Sequence, residues 1–138
     1  YCDNGSVFDV KGSCGFPSQE NLYYVLAFLN SKLTPMYIDS LNPTITTQVG
    51  DLKRIPLLKL SYKDREAIET AAEICVDITK SEWDSYETSW DFKKHPLVMY
   101  VNSDSARIED CYKRWSEFMI EQFNLLKTNQ EKINKILI

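Results

Sequence analysis

The hydrophobic pattern changes period several times along the chain, and each change marks an element. Around Gly5, Gly12 and Gly15, the alternation of Val7, Phe8 and Val10 predicts a short strand between turns. From Ser18, a good N-cap, the apolar positions Leu22, Val25, Leu26, Leu29 and Leu33 recur at helical spacing, which predicts a helix from about Gln19 to Lys32. Pro35 fits a kink or the first turn of a short helix through Asp39, and Pro43 forces Asn42 into an extended conformation that ends it. The β-branched run Thr44 to Val49 reads as a strand, with a turn at Gly50-Asp51. A second extended segment spans Arg54 to Leu60, where Pro56 marks an edge or irregular strand.

Helical period then returns. Ser61 is placed to cap a helix from Lys63 to about Trp83, whose inner face holds Ile68, Ala71, Ala72, Cys75 and Ile78. Thr88 to Asn102 reads as a connecting segment docked by Trp90, Phe92, Leu97, Val98 and Tyr100. Asp104 or Ser105 can cap a final helix with Ile108, Cys111, Trp115, Phe118, Leu125, Leu126, Ile133 and Leu137 along one drifting stripe. About 33 residues at 1.5 Å each make a rod of about 50 Å. So long a rod is expected to send its distal half against something beyond this domain. The expected fold class is therefore α+β: a small mixed or antiparallel strand cluster with three main helices, the last one long, in a single domain over residues 1–138.

Composition narrows the chemistry. The net charge of −4 argues against a strongly basic nucleic-acid module, but charge is unevenly spread. Residues 61–92 carry three basic and nine acidic side chains, against eight and six in 93–138, so a polyanion should meet the flanks and avoid the acidic helix. Cys2, Cys14, Cys75 and Cys111 have no close pairing. Cys75 and Cys111 fall on apolar helix faces as buried thiols, a Cys2 to Cys14 bridge stays open, and the single histidine, His95, gives no metal-ligand spacing. The chain begins at Tyr1 without methionine and ends inside a helical pattern, as expected of a piece of a longer polypeptide. With no membrane span and no targeting segment, a soluble cytoplasmic protein is expected.

Candidate contacts are cations and amides. Lys11, Lys32, Lys53, Arg54, Lys93, Lys94 and His95 offer positive charge at loops where phosphates are reached, and Asn30 and Gln48 have the groups for a bidentate contact with adenine. Solvated charges and backbone-satisfying amides are the alternative readings. Trp83, Tyr86, Trp90 and Phe92 are expected to plug the core between helix and loop, with a stacking platform for an extruded base as the alternative. His95 stands between Lys94 and Pro96, and no Ser or Cys lies in an activating motif. Asn42-Pro43-Thr44-Ile45 lacks the second proline and the aromatic of the Asn-Pro-Pro-aromatic motif of amino-methyltransferases. Gly12-Ser13-Cys14-Gly15 lacks the spacing of a nucleoside-binding turn.

FDVKGSCGFP at Phe8 to Pro17, FLNSKL at Phe28 to Leu33, LNPTITTQVGDLKRIPL at Leu41 to Leu57 and SEWDSYETSWDFKKHPL at Ser81 to Leu97 together resemble the C-terminal region of PglX-type adenine-specific DNA methyltransferases of bacteriophage exclusion systems. These are distant relatives of restriction-modification enzymes with a TaqI-like specificity domain. The resemblance implies S-adenosylmethionine-dependent methylation of adenine N6 in double-stranded DNA, with catalysis and cofactor in an upstream domain of the same chain. It carries no catalytic, cofactor or metal residue onto these positions. It implies a target-recognition fragment; a helical protein-interaction scaffold that never touches DNA is the competing expectation.

Overall fold

The computed structural model describes residues 14–42, 44, 46–101 and 107–138. Its described elements are helical: a 3-10 turn Gln19–Asn21, then α1 Leu22–Leu29, α2 Leu33–Leu41, α3 Val49–Arg54, α4 Tyr62–Trp83, α5 Pro96–Met99 and α6 Ile108–Leu137. Among the described residues there is no strand, which corrects the α+β expectation and with it the strand cluster. The strand expected at Val7 to Val10 lies outside the described residues, as do Lys11, Cys2, Asp104 and Ser105.

The reason the Thr44 to Val49 run is not a strand is visible in its hydrogen bonds. A β-branched segment is stable as a strand only when a neighbour satisfies its ladder. Here the segment folds on Asn42 instead: the Asn42 Oδ1 accepts from the Thr44 N–H at 3.0 Å and its hydroxyl at 2.6 Å, and Asn42 Nδ2 donates to the Thr46 carbonyl at 3.2 Å. Val49 and Gly50 open a helix where a turn was expected. Of the expected strand Arg54 to Leu60, Arg54 ends α3 and Pro56 to Leu60 form no regular element, docking instead by side chains. Leu58 and Leu60 pack on the core, and the Leu58 carbonyl accepts a 2.6 Å hydrogen bond from the Tyr24 hydroxyl.

The expected helix from Gln19 to Lys32 is cut in two. Ser31 and Thr34 turn their hydroxyls onto the Phe28 carbonyl, at 2.7 and 2.6 Å, and the Ser31 N–H also reaches it at 3.1 Å. Three donors on one carbonyl stop α1 and start α2, where Pro35 falls within the first turn, whose N–H groups have no helical partner. The Lys32 N–H at this junction is taken by Asn134 Oδ1 of α6 at 2.8 Å. Ser18 does not cap as expected; its hydroxyl accepts from Asn21 Nδ2 at 2.6 Å. Ser61 does cap α4, accepting from the Asp64 N–H at 3.2 Å.

The backbone groups into two compact units, 1–73 with 130–138, and 74–129. The core of the first is Tyr24, Ala27 and Phe28 of α1, Ile55 just after α3, Ile68, Ala71 and Ala72 of α4, and Ile133 and Leu137 of α6. The distal end of the last helix is thus buried within the chain, contrary to expectation. Its central turns leave large apolar side chains exposed, with Ile120 at 58% and Phe123 at 64%. Arg65 fastens the rim of this core: its guanidinium lies 5.4 Å from the Tyr24 ring centroid, binds the Glu20 carbonyl at 2.9 Å and pairs with Glu69 at 2.8 Å.

In the second unit, the buried Cys111 thiol lies 3.4 Å from the Tyr100 carbonyl and the half-buried Cys75 thiol 4.0 Å from the Leu126 carbonyl. Both thiols are free, and burial pushes that of Cys75 up. No helix among the described residues is long and apolar enough to cross a membrane.

Candidate functional site

The candidate contact residues fall at helix ends. α3 is short, so its ends need external partners, and its sequence provides them. Gln48 and Asp51 form a reciprocal capping box, in which Asp51 Oδ2 accepts from the Gln48 N–H at 2.9 Å. Asn42 Nδ2 donates to the same carboxylate oxygen at 2.7 Å. The Asn42 contact first, and the Gln48 N–H second, hold the Asp51 carboxyl below the usual carboxylate range. Lys53 and Arg54 follow in the last turn of α3, both exposed, where positive charge also complements the helix C-terminus. Two cations therefore stand on a turn fixed by a hydrogen-bonded base, an arrangement suited to phosphate contact.

The amides expected to read bases are turned inward. Asn30 Nδ2 donates to the Leu26 carbonyl at 2.9 Å and so finishes α1, while the Gln48 side chain accepts from the backbone of α3. Each has a local backbone partner that bidentate pairing with adenine would have to displace or share. Lys32 is exposed beside the junction of α1 and α2. Asn42, compared above with a catalytic asparagine, serves as the hub of the α2 to α3 connection, with both its amide groups engaged.

In the second unit, Lys93 and Lys94 are exposed and His95 is the N-cap of α5. His95 Nδ1 accepts from the Leu97 N–H at 3.3 Å, and its ring meets Trp115 edge-on with centroids 6.1 Å apart. A histidine so engaged orients a turn. Nearby, Lys80 Nζ lies 3.1 Å from Asp91 and 3.3 Å from Asp84; the Ser89 hydroxyl donates to Asp84 at 2.7 Å and accepts from the Asp91 N–H at 3.1 Å. The two carboxylates raise the Lys80 ammonium above its ordinary value, and Ser89 chiefly lowers the carboxyl of Asp84.

That network shapes the turn bearing the tryptophan-rich run, but the aromatics do not plug a core. Trp83 is 58% exposed, Tyr86 54% and Trp90 wholly exposed, so only Phe92 of the four is half-buried. The tight turns after α4 return the backbone to itself and leave these rings outside.

Beside this turn lies a feature that periodicity hinted at and was not read for: an open cleft of about 970 Å³ within the second unit. Its α6 wall uses Trp115, Phe118, Met119, Gln122, Phe123 and Leu126, and Lys93 and Lys94 stand among the lining residues. Among the described residues, no three His, Cys, Asp or Glu side chains gather as a metal-ligand set.

Fold and site define a helical module with exposed cations at helix ends and an apolar cleft rimmed by charge. No family model matches the chain, and no solved structure matches it. It is similar to the adenine-specific methyltransferase PglX of Lacticaseibacillus casei (strain Zhang), with 28% identity over 141 residues that cover 100% of this chain and 12% of that protein. It is also similar to the adenine-specific methyltransferase BrxX of Escherichia coli O9:H4 (strain HS), with 26% identity over 140 residues, covering 99% of this chain and 11% of that protein. The chain thus spans 12% or less of the length of these curated relatives.

Proposed function

We propose that the chain is a segment of an adenine-specific DNA methyltransferase, scaffolding its target-recognition region in the cytoplasm in phage defence or restriction-modification. The observation that carries this reading is the end-to-end similarity to two adenine-specific methyltransferases. The exposed cations Lys32, Lys53 and Arg54 are its phosphate-contacting positions on double-stranded DNA. Asn30 and Gln48 support the turns that present them. Methyl transfer and S-adenosylmethionine belong to other parts of the parent protein.

The experiment is a salt titration of DNA binding by the parent protein, with and without the double substitution Lys53→Ala and Arg54→Ala. Each lost phosphate contact makes the dependence of log K on log salt shallower by about 0.9, so the pair should change the slope by about 2. An unchanged slope favours the second reading, a helical protein-interaction scaffold with no direct DNA contact. Two observations speak for that reading: the nine acidic side chains of residues 61–92, and the capping roles of the two amides.

A further inference from the structure

We infer that the cleft of the second unit is the seat of an amphipathic helix from elsewhere in the parent polypeptide, and this rests on the reading of the chain as a methyltransferase segment. The α6 wall determines the shape of the occupant. Trp115, Phe118, Met119, Gln122, Phe123 and Leu126 recur at intervals of three and four residues, so they form one straight stripe of about three turns, roughly 17 Å long. Ile78 of α4 and Met99 of α5 extend the apolar lining away from that stripe. Phe118, Phe123 and Met99 are 41%, 64% and 62% exposed, so large apolar side chains that line the cleft stand in water. Methionine and aromatic side chains along a helical stripe are the surface that receives a helix by its i, i+3, i+4 and i+7 positions.

The charges on the cleft decide between macromolecules. Asp77 and Glu82 stand among the lining residues from α4, Lys93 and Lys94 among those from the segment before α5, and Asp84 and Asp91 are tied to Lys80. Four carboxylates against three lysines leave the lining without the net positive charge that a nucleic-acid strand needs, so such a strand is a poor occupant. A helix that carries both basic and acidic side chains beside its apolar stripe answers this mixed lining. The relatives show how much chain is available: the matched region is 12% and 11% of their lengths, and the remaining polypeptide is covalently tethered, which raises its effective concentration at the cleft.

The test places a photo-crosslinking amino acid at position 123, in place of the exposed Phe123, in the intact parent protein, and maps adducts by mass spectrometry with and without duplex DNA. The proposal expects one dominant intramolecular adduct, DNA-independent, on an amphipathic helical segment outside these 138 residues. It also expects Phe118→Glu to reduce that adduct at least severalfold while the fold, read by circular dichroism, is kept. Adducts to DNA, to residues 1–13 or 102–106 of the chain itself, to a second copy, or to solvent alone would each overturn it. The functional reading fails separately: loss of adenine methylation or of salt-sensitive DNA binding in the unmodified parent sinks that reading whether or not the cross-link forms.

Discussion

At the scale of single residues, this chain uses its polar side chains to finish helices. Asp51 is the clearest case, because two donors converge on one of its oxygens. Its carboxyl is held below the ordinary value, so the ionised form is favoured by the fold. The stability it contributes is complete above its unfolded value of about 3.9 and is lost as pH falls through the lower folded value. Hydrogen exchange of the Gln48 amide should therefore accelerate when the pH is taken through the acid range below about 4, and Asp51→Asn should remove that pH dependence. Tyr24 tests a second contact: its ring is 6% exposed and its hydroxyl donates to the Leu58 carbonyl at 2.6 Å. Tyr24→Phe leaves the ring in place and that carbonyl without this donor, so the denaturant midpoint should fall by the equivalent of about 1 kcal/mol.

At the scale of elements, the helices that are long and amphipathic were readable, as was the short α2 around Pro35, while α3 and α5 were not. The helix expected from Lys63 to Trp83 spans Tyr62–Trp83, because Ser61 supplies the cap and the apolar face repeats without interruption. The first helix breaks because Ser31 and Thr34 compete for the Phe28 carbonyl, a choice that spacing of apolar residues does not reveal. α3 was missed because Gly50 suggested a turn. In the structure Gly50 lies within the first turn of a helix and a Cβ added there meets nothing within 4 Å. Gly50→Ala should thus stabilise the chain by roughly 0.4 to 1 kcal/mol, read from thermal unfolding; a destabilised variant would show that the position needs glycine after all.

At the scale of the molecule, burial separates residues that look alike in the sequence. Phe28 is fully buried and Trp90 is wholly exposed, although both are aromatics within the four segments that carry the family resemblance. Phe28→Ala should cost about 3 to 5 kcal/mol, as truncation of a closed core does, while Trp90→Ala should stay within about 0.5 kcal/mol in the same denaturation experiment. Of the candidate contacts, what the sequence conveyed is exposure: Lys32, Lys53, Arg54, Lys93 and Lys94 carry charge and are exposed. The roles of Asn30, Gln48 and His95 depended on which backbone groups lay within reach.

The sequence by itself determined the two long helices, the concentration of acid in residues 61–92 and the likeness to adenine-specific methyltransferases. These are properties of local period, composition and residue order. Only the tertiary structure decided that the described residues hold no sheet, that the far end of α6 is buried while its centre leaves large apolar side chains exposed, and that the tryptophan-rich turn faces water. Each of those depends on which surfaces a folded chain brings together. A strand needs a neighbour for its ladder and an apolar stripe needs a partner for its burial, and neither partner is written in the segment that requires it.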